Sequence, residues 1–222
     1  LYSMLLVDAL DCDEKFKEIV EKAAILHDIG KIGIRDSVLQ KEGKLTDEEY
    51  KHIQEHVRIT HDILEKIHTS DDFKQITEIA CSHHEKFDGS GYYRHLSGEN
   101  IPFGGRILAV ADVFDAITSK RHYRDKMPIQ NVIDILISGK DKHFDGKLVD
   151  MFLKIPTDKI IKVFLTENHN SFKDEDKKLL SKYNLFDIHE FIVNDNATEE
   201  QKHIVDLFNF YYSGNVDKKE GC

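Results

Sequence analysis

The chain has 222 residues, 40% of them hydrophobic, and 31 Lys and Arg stand against 41 Asp and Glu for a formal charge of −10. That length and apolar content suffice for one large domain, or one domain with an appendage, and exclude disorder as the default state. The acidic balance excludes a surface that wraps long nucleic acid, which needs clustered Lys and Arg, but permits a small anionic ligand held by bound cations and a few local basic residues.

Met4 to Leu10 is apolar but short and lacks a basic flank, so it predicts a helix rather than a signal peptide. Glu14 to His27 reads as a helix with Phe16, Ile19, Val20, Ala23 and His27 on one face. Thr46-Asp47-Glu48-Glu49 is a capping box. It opens a helix that turns Ile53, Val57, Thr60, Leu64 and Ile67 inward, with His56 beside that stripe. A third helix is expected from Phe73 to Glu85, aligning Ile76, Ile79 and Ala80 with His83 and His84. Asp88 to Gly105 is polar, glycine-rich and without periodicity; a loop of that length is usually functional.

Arg106 to Ser119 follows, nearly continuous in apolar residues, with Leu108, Asp112 and Asp115 on one side. Ile129 to Ile137 and Lys147 to Ile155 predict further helices, and Thr198-Glu199-Glu200-Gln201 caps a short terminal one. Nothing alternates with period two for long, and Pro102, Pro128 and Pro156 all fall between periodic segments. The expectation is an all-α fold, a helical bundle over 1–155 with a C-terminal helical extension over 156–222. No apolar run approaches the roughly 18 residues needed to span a bilayer, so no membrane segment is expected. Cys12, Cys81 and Cys222 are scattered and odd in number, which fits a reducing, cytoplasmic compartment without a disulfide framework. The chain opens at Leu1 in a helix already under way and reads as a piece of a longer protein.

His27 beside Asp28 is the pair that matters most. An isolated histidine flanking an apolar stripe, such as His56, is ordinarily a satisfied core residue. Two adjacent polar residues, as in His27-Asp28 or His83-His84, cannot both be core filler. Asp112 lies in the run Ile107-Leu108-Ala109-Val110-Ala111-Asp112, where a carboxylate must be paired, hydrogen-bonded or metal-bound. The other histidines are assigned to the surface. Imidazole with carboxylate and no thiolate suits Fe, Mn or Zn in an open catalytic site. Asp28 is the natural bridging carboxylate. Neighbours on a helix diverge by about 100°, so His83 and His84 are expected to serve two different ions. Two ions about 3.5–4 Å apart polarise a phosphoryl oxygen and generate a nucleophile from water, and Lys31 is placed to neutralise charge developing on the phosphate.

With these positions in hand, the chain resembles the HD-GYP family, a branch of the HD-domain metal-dependent phosphohydrolases. The resemblance spans roughly Leu1 to Ile155. Its carriers are Leu26-His27-Asp28-Ile29-Gly30-Lys31, His56, His83-His84-Glu85-Lys86-Phe87-Asp88-Gly89-Ser90-Gly91-Tyr92, Ile101-Pro102, Arg106 to Ala116, Arg121-His122-Tyr123-Arg124 and His143-Phe144-Asp145. It implies a phosphodiesterase that opens cyclic dinucleotides, chiefly cyclic di-GMP, with cyclic GMP-AMP as the other substrate. The implied metal ligands are His27, Asp28, His56, His83, His84 and Asp112, holding two or three divalent ions, Fe or Mn ahead of Zn. Asp28 and Lys31 are the implied catalytic residues, and Lys31, Arg121 and Arg124 the phosphate holders. A homodimer and an upstream sensory domain are the implied partners. The chain departs from the pattern at Gly91-Tyr92-Tyr93, where the family has Gly-Tyr-Pro, and the upstream His, with a Glu in some members, would fall before Leu1. The rival from another class is a degenerate module that binds nucleotide or a partner protein without hydrolysis. A general HD nucleotidase is a third option, disfavoured by the Asp88-Gly89-Ser90-Gly91-Tyr92 segment.

Overall fold

A computed structural model describes residues 1–67, 70–119, 126–168 and 171–214. Among these the regular elements are helices, joined by loops and two isolated β-bridges, so the all-α expectation holds. In chain order they are α1 (Tyr2–Ala9), α2 (Glu14–Leu26), a 3₁₀ turn (Ile29–Gly33), α3 (Asp36–Leu39), α4 (Asp47–Ile67) and α5 (Asp71–Ala80). A second 3₁₀ turn (Gly98–Asn100) precedes α6 (Phe103–Thr118), α7 (Ile129–Ser138), α8 (Gly146–Leu153) and α9 (Thr157–Asn168). The chain finishes with α10 (Asp174–Leu180), α11 (Leu185–Val193) and α12 (Glu199–Ser213).

Local chemistry sets most of these starts. Asp13 accepts from the Phe16 amide to open α2, and the Thr46 hydroxyl and Glu49 carboxylate exchange bonds with each other's amides at the head of α4. Asn184 and Thr198 form complete capping boxes on α11 and α12. The amphipathic reading of α4 holds for Val57, Thr60 and Leu64, which are buried with His56, whereas Ile67 is exposed because the last turn outruns the core.

Two boundaries differ from expectation by three residues or more. α5 ends at Ala80 rather than reaching Glu85. The Ser82 hydroxyl donates to the Glu78 carbonyl and His83 Nδ1 to the Ala80 carbonyl, diverting acceptors that another helical turn would use. α6 begins at Phe103, three residues before Arg106, behind Pro102. Gly104 and Gly105 belong to that helix, not to the preceding loop. A Cβ on either would lie 2.6 Å from Ile79 or Ser82, so their bareness lets α6 press against the end of α5.

The core is continuous. Leu6, Val20, Leu64, Ile107, Phe114, Ile133, Phe152, Phe164 and Phe208 belong to one apolar cluster that runs across Pro156. The Phe114 ring stands among Tyr2, Phe152 and Phe164, and Phe164 meets Tyr212 of α12. Each fully buried ring or aliphatic side chain of this kind contributes about 1.5–3 kcal/mol. α1 packs on α6, α8 and α9, and α11 on α7, so the last four helices brace the bundle. Among the described residues no helix is long and apolar enough to cross a membrane.

Candidate metal centre

Three of the nominated histidines share one arrangement. His27 Nδ1 meets the Ala24 carbonyl at 2.8 Å, His56 Nδ1 the Ile53 carbonyl at 2.7 Å, and His83 Nδ1 the Ala80 carbonyl at 2.6 Å. A carbonyl only accepts, so each Nδ1 carries a proton, and in the neutral rings of His56 and His83 Nε2 turns a lone pair inward, the tautomer that metal ligation requires. His56 and His83 then face each other Nε2 to Nε2 at 3.5 Å. Two lone pairs aimed at one point repel in the absence of a cation. Two nitrogens bound tetrahedrally to one ion lie about 3.4 Å apart.

Asp28 sits at the centre. Its Oδ1 lies 3.4 Å from His56 Nε2 and 4.0 Å from His83 Nε2, and its Oδ2 lies 3.4 Å from His27 Nε2. Oδ1 is buried without a hydrogen-bond partner, which is costly for a carboxylate unless a cation compensates it. Asp112 on α6 closes the same side, with Oδ1 3.7 Å from His27 Nε2. Ligand atoms converge as two triads, His56 with His83 and His84, and His27 with Asp28 and His83. His83 belongs to both. It and His84 lie in the turn after α5 with ring centroids 4.0 Å apart, so the 100° divergence expected of helical neighbours does not separate them. The donor set fits divalent cations on these grounds.

The electrostatics agree with the geometry. Burial alone would lower the His27 pKa, but the carboxylates of Asp112 and Asp28 outweigh it and raise it to about 10. Burial works against the Asp28 carboxylate too, yet the His27 imidazole and the Lys31 ammonium hold it well below the usual carboxylate range. Burial pushes His84 down to about 4 and lowers His56 and His83, so these three are neutral and ready to ligate at neutral pH. Burial works against the Asp112 carboxylate, but the His27 imidazole 3.7 Å away, with His83 and His84, holds it low.

The 3₁₀ turn that follows Asp28 and carries Lys31 is clasped to α4 through the Thr60 hydroxyl. The Gly30 amide donates to Thr60 Oγ1 at 3.0 Å, and the same hydroxyl donates to the His27 carbonyl at 3.1 Å. A Cβ on Gly30 would meet the His56 carbonyl at 2.0 Å, so only glycine lets the turn lie against the helix that presents His56. Lys31 Nζ sits 2.5 Å from Asp28 Oδ2, with its side chain partly exposed at the rim. Beside His27 and Asp112 opens a cleft of about 300 Å³, also lined by Ser3, Leu108, Asp115 and Val163 of α9.

All six nominated ligands therefore face one centre, whereas Arg121 and Arg124 lie outside the described residues. Of the histidines assigned to the surface, His52, His61, His143 and His189 are half-buried instead. His52 accepts from the Arg35 amide, His61 lies against Tyr93, and His143 stacks on Phe144. Sequence reasoning placed Thr60 in the apolar stripe without its clasping role. A hydroxyl one turn beyond His56 on the same face was the available signal. It also gave Glu85 no role. That carboxylate is 1% exposed and accepts from the Arg94 and Leu96 amides, tying down the loop after the histidine pair.

The HD domain profile matches residues 2–148. This chain belongs to the HD-domain family. HD domains imply bound divalent metal, which agrees with the paired ligand triads. Curated relatives support the HD-GYP branch. A "Cyclic di-GMP phosphodiesterase" of Vibrio cholerae is 44% identical over 158 residues, covering 69% of this chain and 31% of the relative. A "3'3'-cGAMP-specific phosphodiesterase 2" from the same organism is 41% identical, covering 69% and 29%. The "Cyclic di-GMP phosphodiesterase response regulator RpfG" of Xanthomonas campestris is 42% identical, covering 68% and 39%. The HD chain thus spans about a third of the length of these relatives. A crystal structure of a cyclic GMP-AMP-specific phosphodiesterase from V. cholerae superposes with a TM-score of 0.51 at 15% identity, covering 96% of this chain and 53% of that one. That match bears on the HD fold alone.

Proposed function

We propose that this domain hydrolyses a cyclic dinucleotide second messenger to a linear product, with cyclic di-GMP the foremost substrate and cyclic GMP-AMP the second. The observation that carries the reading is the pair of triads that meet at His83, with Asp28 Oδ1 buried and unpartnered beside them. His27, Asp28, His56, His83, His84 and Asp112 would hold two or three divalent ions, Fe or Mn ahead of Zn, in keeping with an imidazole and carboxylate donor set. Such ions supply Lewis acidity at the phosphodiester and acidify water.

The chain's own groups do the rest. Lys31 joins His27 in keeping Asp28 ionised and adds positive charge at the rim, where the phosphate would lie. Arg121 and Arg124 are assigned to the phosphate from their place in the HD-GYP pattern. The relatives' printed activities favour a cyclic dinucleotide over other phosphodiesters. Domain limits of 1–155 and 156–222, a cytoplasmic location, a homodimer and an upstream sensory domain complete the proposal. Two of its thiols, Cys12 and Cys81, are free.

The test is elemental analysis of anaerobically purified protein, paired with hydrolysis assays on both nucleotides. His27→Ala should lose turnover and metal together. Retained turnover with unchanged metal content would refute the assignment, and nucleotide binding without hydrolysis in the metal-loaded protein would establish the degenerate module instead.

A further inference from the structure

The loop after the histidine pair departs from the HD-GYP pattern at Tyr93, where proline would fix φ, yet the structure holds it in one place. Tyr92 donates its amide to the His84 carbonyl at 3.2 Å and lays its ring on the His84 imidazole, with centroids 4.8 Å apart and planes at 28°. Tyr93 turns the other way. Its ring packs against His61 of α4 at 6.0 Å, and the Arg94 guanidinium covers it at 5.8 Å. Arg94 is fixed in turn, paired through both terminal nitrogens with the Glu78 carboxylate, while its amide donates to buried Glu85. His95 follows at φ 56°, a left-handed conformation that few side chains adopt, and the Glu85 bonds to the amides on either side sustain it.

We propose that Tyr93 is a positioning residue. By seating on His61 under the Arg94 guanidinium, it locks the Gly91–Leu96 loop so that Tyr92 stays on His84. A packing contact thereby supplies the constraint that a proline ring supplies covalently. His61 and the ligand His56 stand on the same helix, so the contact ties the loop directly to the element that presents one wall of the metal centre. The inference rests on the phosphodiesterase reading for its consequence in turnover, but not for its structural content.

The experiment compares wild type, Tyr93→Phe, Tyr93→Ala, His61→Ala and the Tyr93→Ala/His61→Ala double variant in the metal-loaded protein. The first readout is amide hydrogen exchange over residues 91–96, which needs no activity. Tyr93→Phe should keep wild-type protection, and each alanine variant should lose about two- to tenfold of it, the usual worth of an aromatic pair. The double variant should be no worse than either single variant. The second readout is hydrolysis of cyclic di-GMP and cyclic GMP-AMP, where the alanine variants should raise KM by a similar factor at unchanged metal content, with Tyr93→Phe restoring it. Unchanged exchange in Tyr93→Ala, or additive losses in the double variant, overturns the proposal. A wild-type protein that hydrolyses neither nucleotide sinks the phosphodiesterase reading alone and leaves the exchange result to decide the loop.

Discussion

The metal-facing half of the molecule and the helices after Pro156 treat polar atoms in opposite ways. In the second region they are spent on the fold. Thr157 Oγ1 donates to the Leu180 carbonyl, Tyr212 donates its hydroxyl to the Met127 carbonyl, and Asn184 and Asp187 satisfy one another's amides. Lys126 lies over the faces of Phe164 and Tyr212, with its ammonium on the Tyr212 carbonyl. Among the described residues of this region, one oxygen of Asp158 is the exception, buried and unpartnered, and no ligand triad of described residues includes it. Around Asp28, by contrast, three imidazoles use Nδ1 to hold their orientation and turn Nε2 toward a shared centre, where His27 meets the Asp28 and Asp112 carboxylates. Buried polar groups that satisfy each other build a scaffold, whereas those aimed at a shared point build a site.

The largest break in this comparison should come from Gly30→Ala. The added methyl has backbone on the other side, at the His56 carbonyl and the Thr60 amide, so nothing flexible can yield. We expect a loss of about 3 kcal/mol or more, read by chemical denaturation, together with a fall in bound metal. Wild-type stability in that variant would mean the turn does not lie against α4 as described. Thr60→Val comes next. It removes the acceptor for the Gly30 amide and the donor to the His27 carbonyl in a buried position. The expected cost is about 1–3 kcal/mol, and metal affinity should fall with it.

Tyr212→Phe sharpens the contrast from the other side. Losing the hydroxyl on the Met127 carbonyl should cost about 1 kcal/mol while metal content stays at the wild-type value. A variant that loses metal would show that the two regions are not separable. The smallest signal is a proton count. Metal-free His27, raised to about 10, is protonated at pH 7, while His84 at about 4 and the lowered His56 and His83 are already neutral. A ligand must be neutral to bind, so loading metal at pH 7 should expel about one proton per molecule from these imidazoles. Calorimetry in buffers of different ionisation enthalpy reads this directly, and a count of zero would contradict the His27–Asp112 pairing.

The sequence by itself determined the helical class, the caps at Thr46 and Thr198 and the identity of the converging histidines and acids. Period, capping chemistry and a charged residue in an apolar run are all local signals that a linear reading can catch. Asp112 was legible because no core tolerates a bare carboxylate, and His27-Asp28 because two adjacent polar side chains cannot both be filler. Only the tertiary structure decided that Gly104 and Gly105 belong to a helix face and that His83 serves both triads. It also revealed Thr60 as a clasp, Glu85 as a loop anchor and His61 as the seat for Tyr93. Each of these depends on what lies within 2 to 6 Å across the fold from residues distant in the chain. Such proximity is set by packing the whole bundle, and no local pattern encodes it.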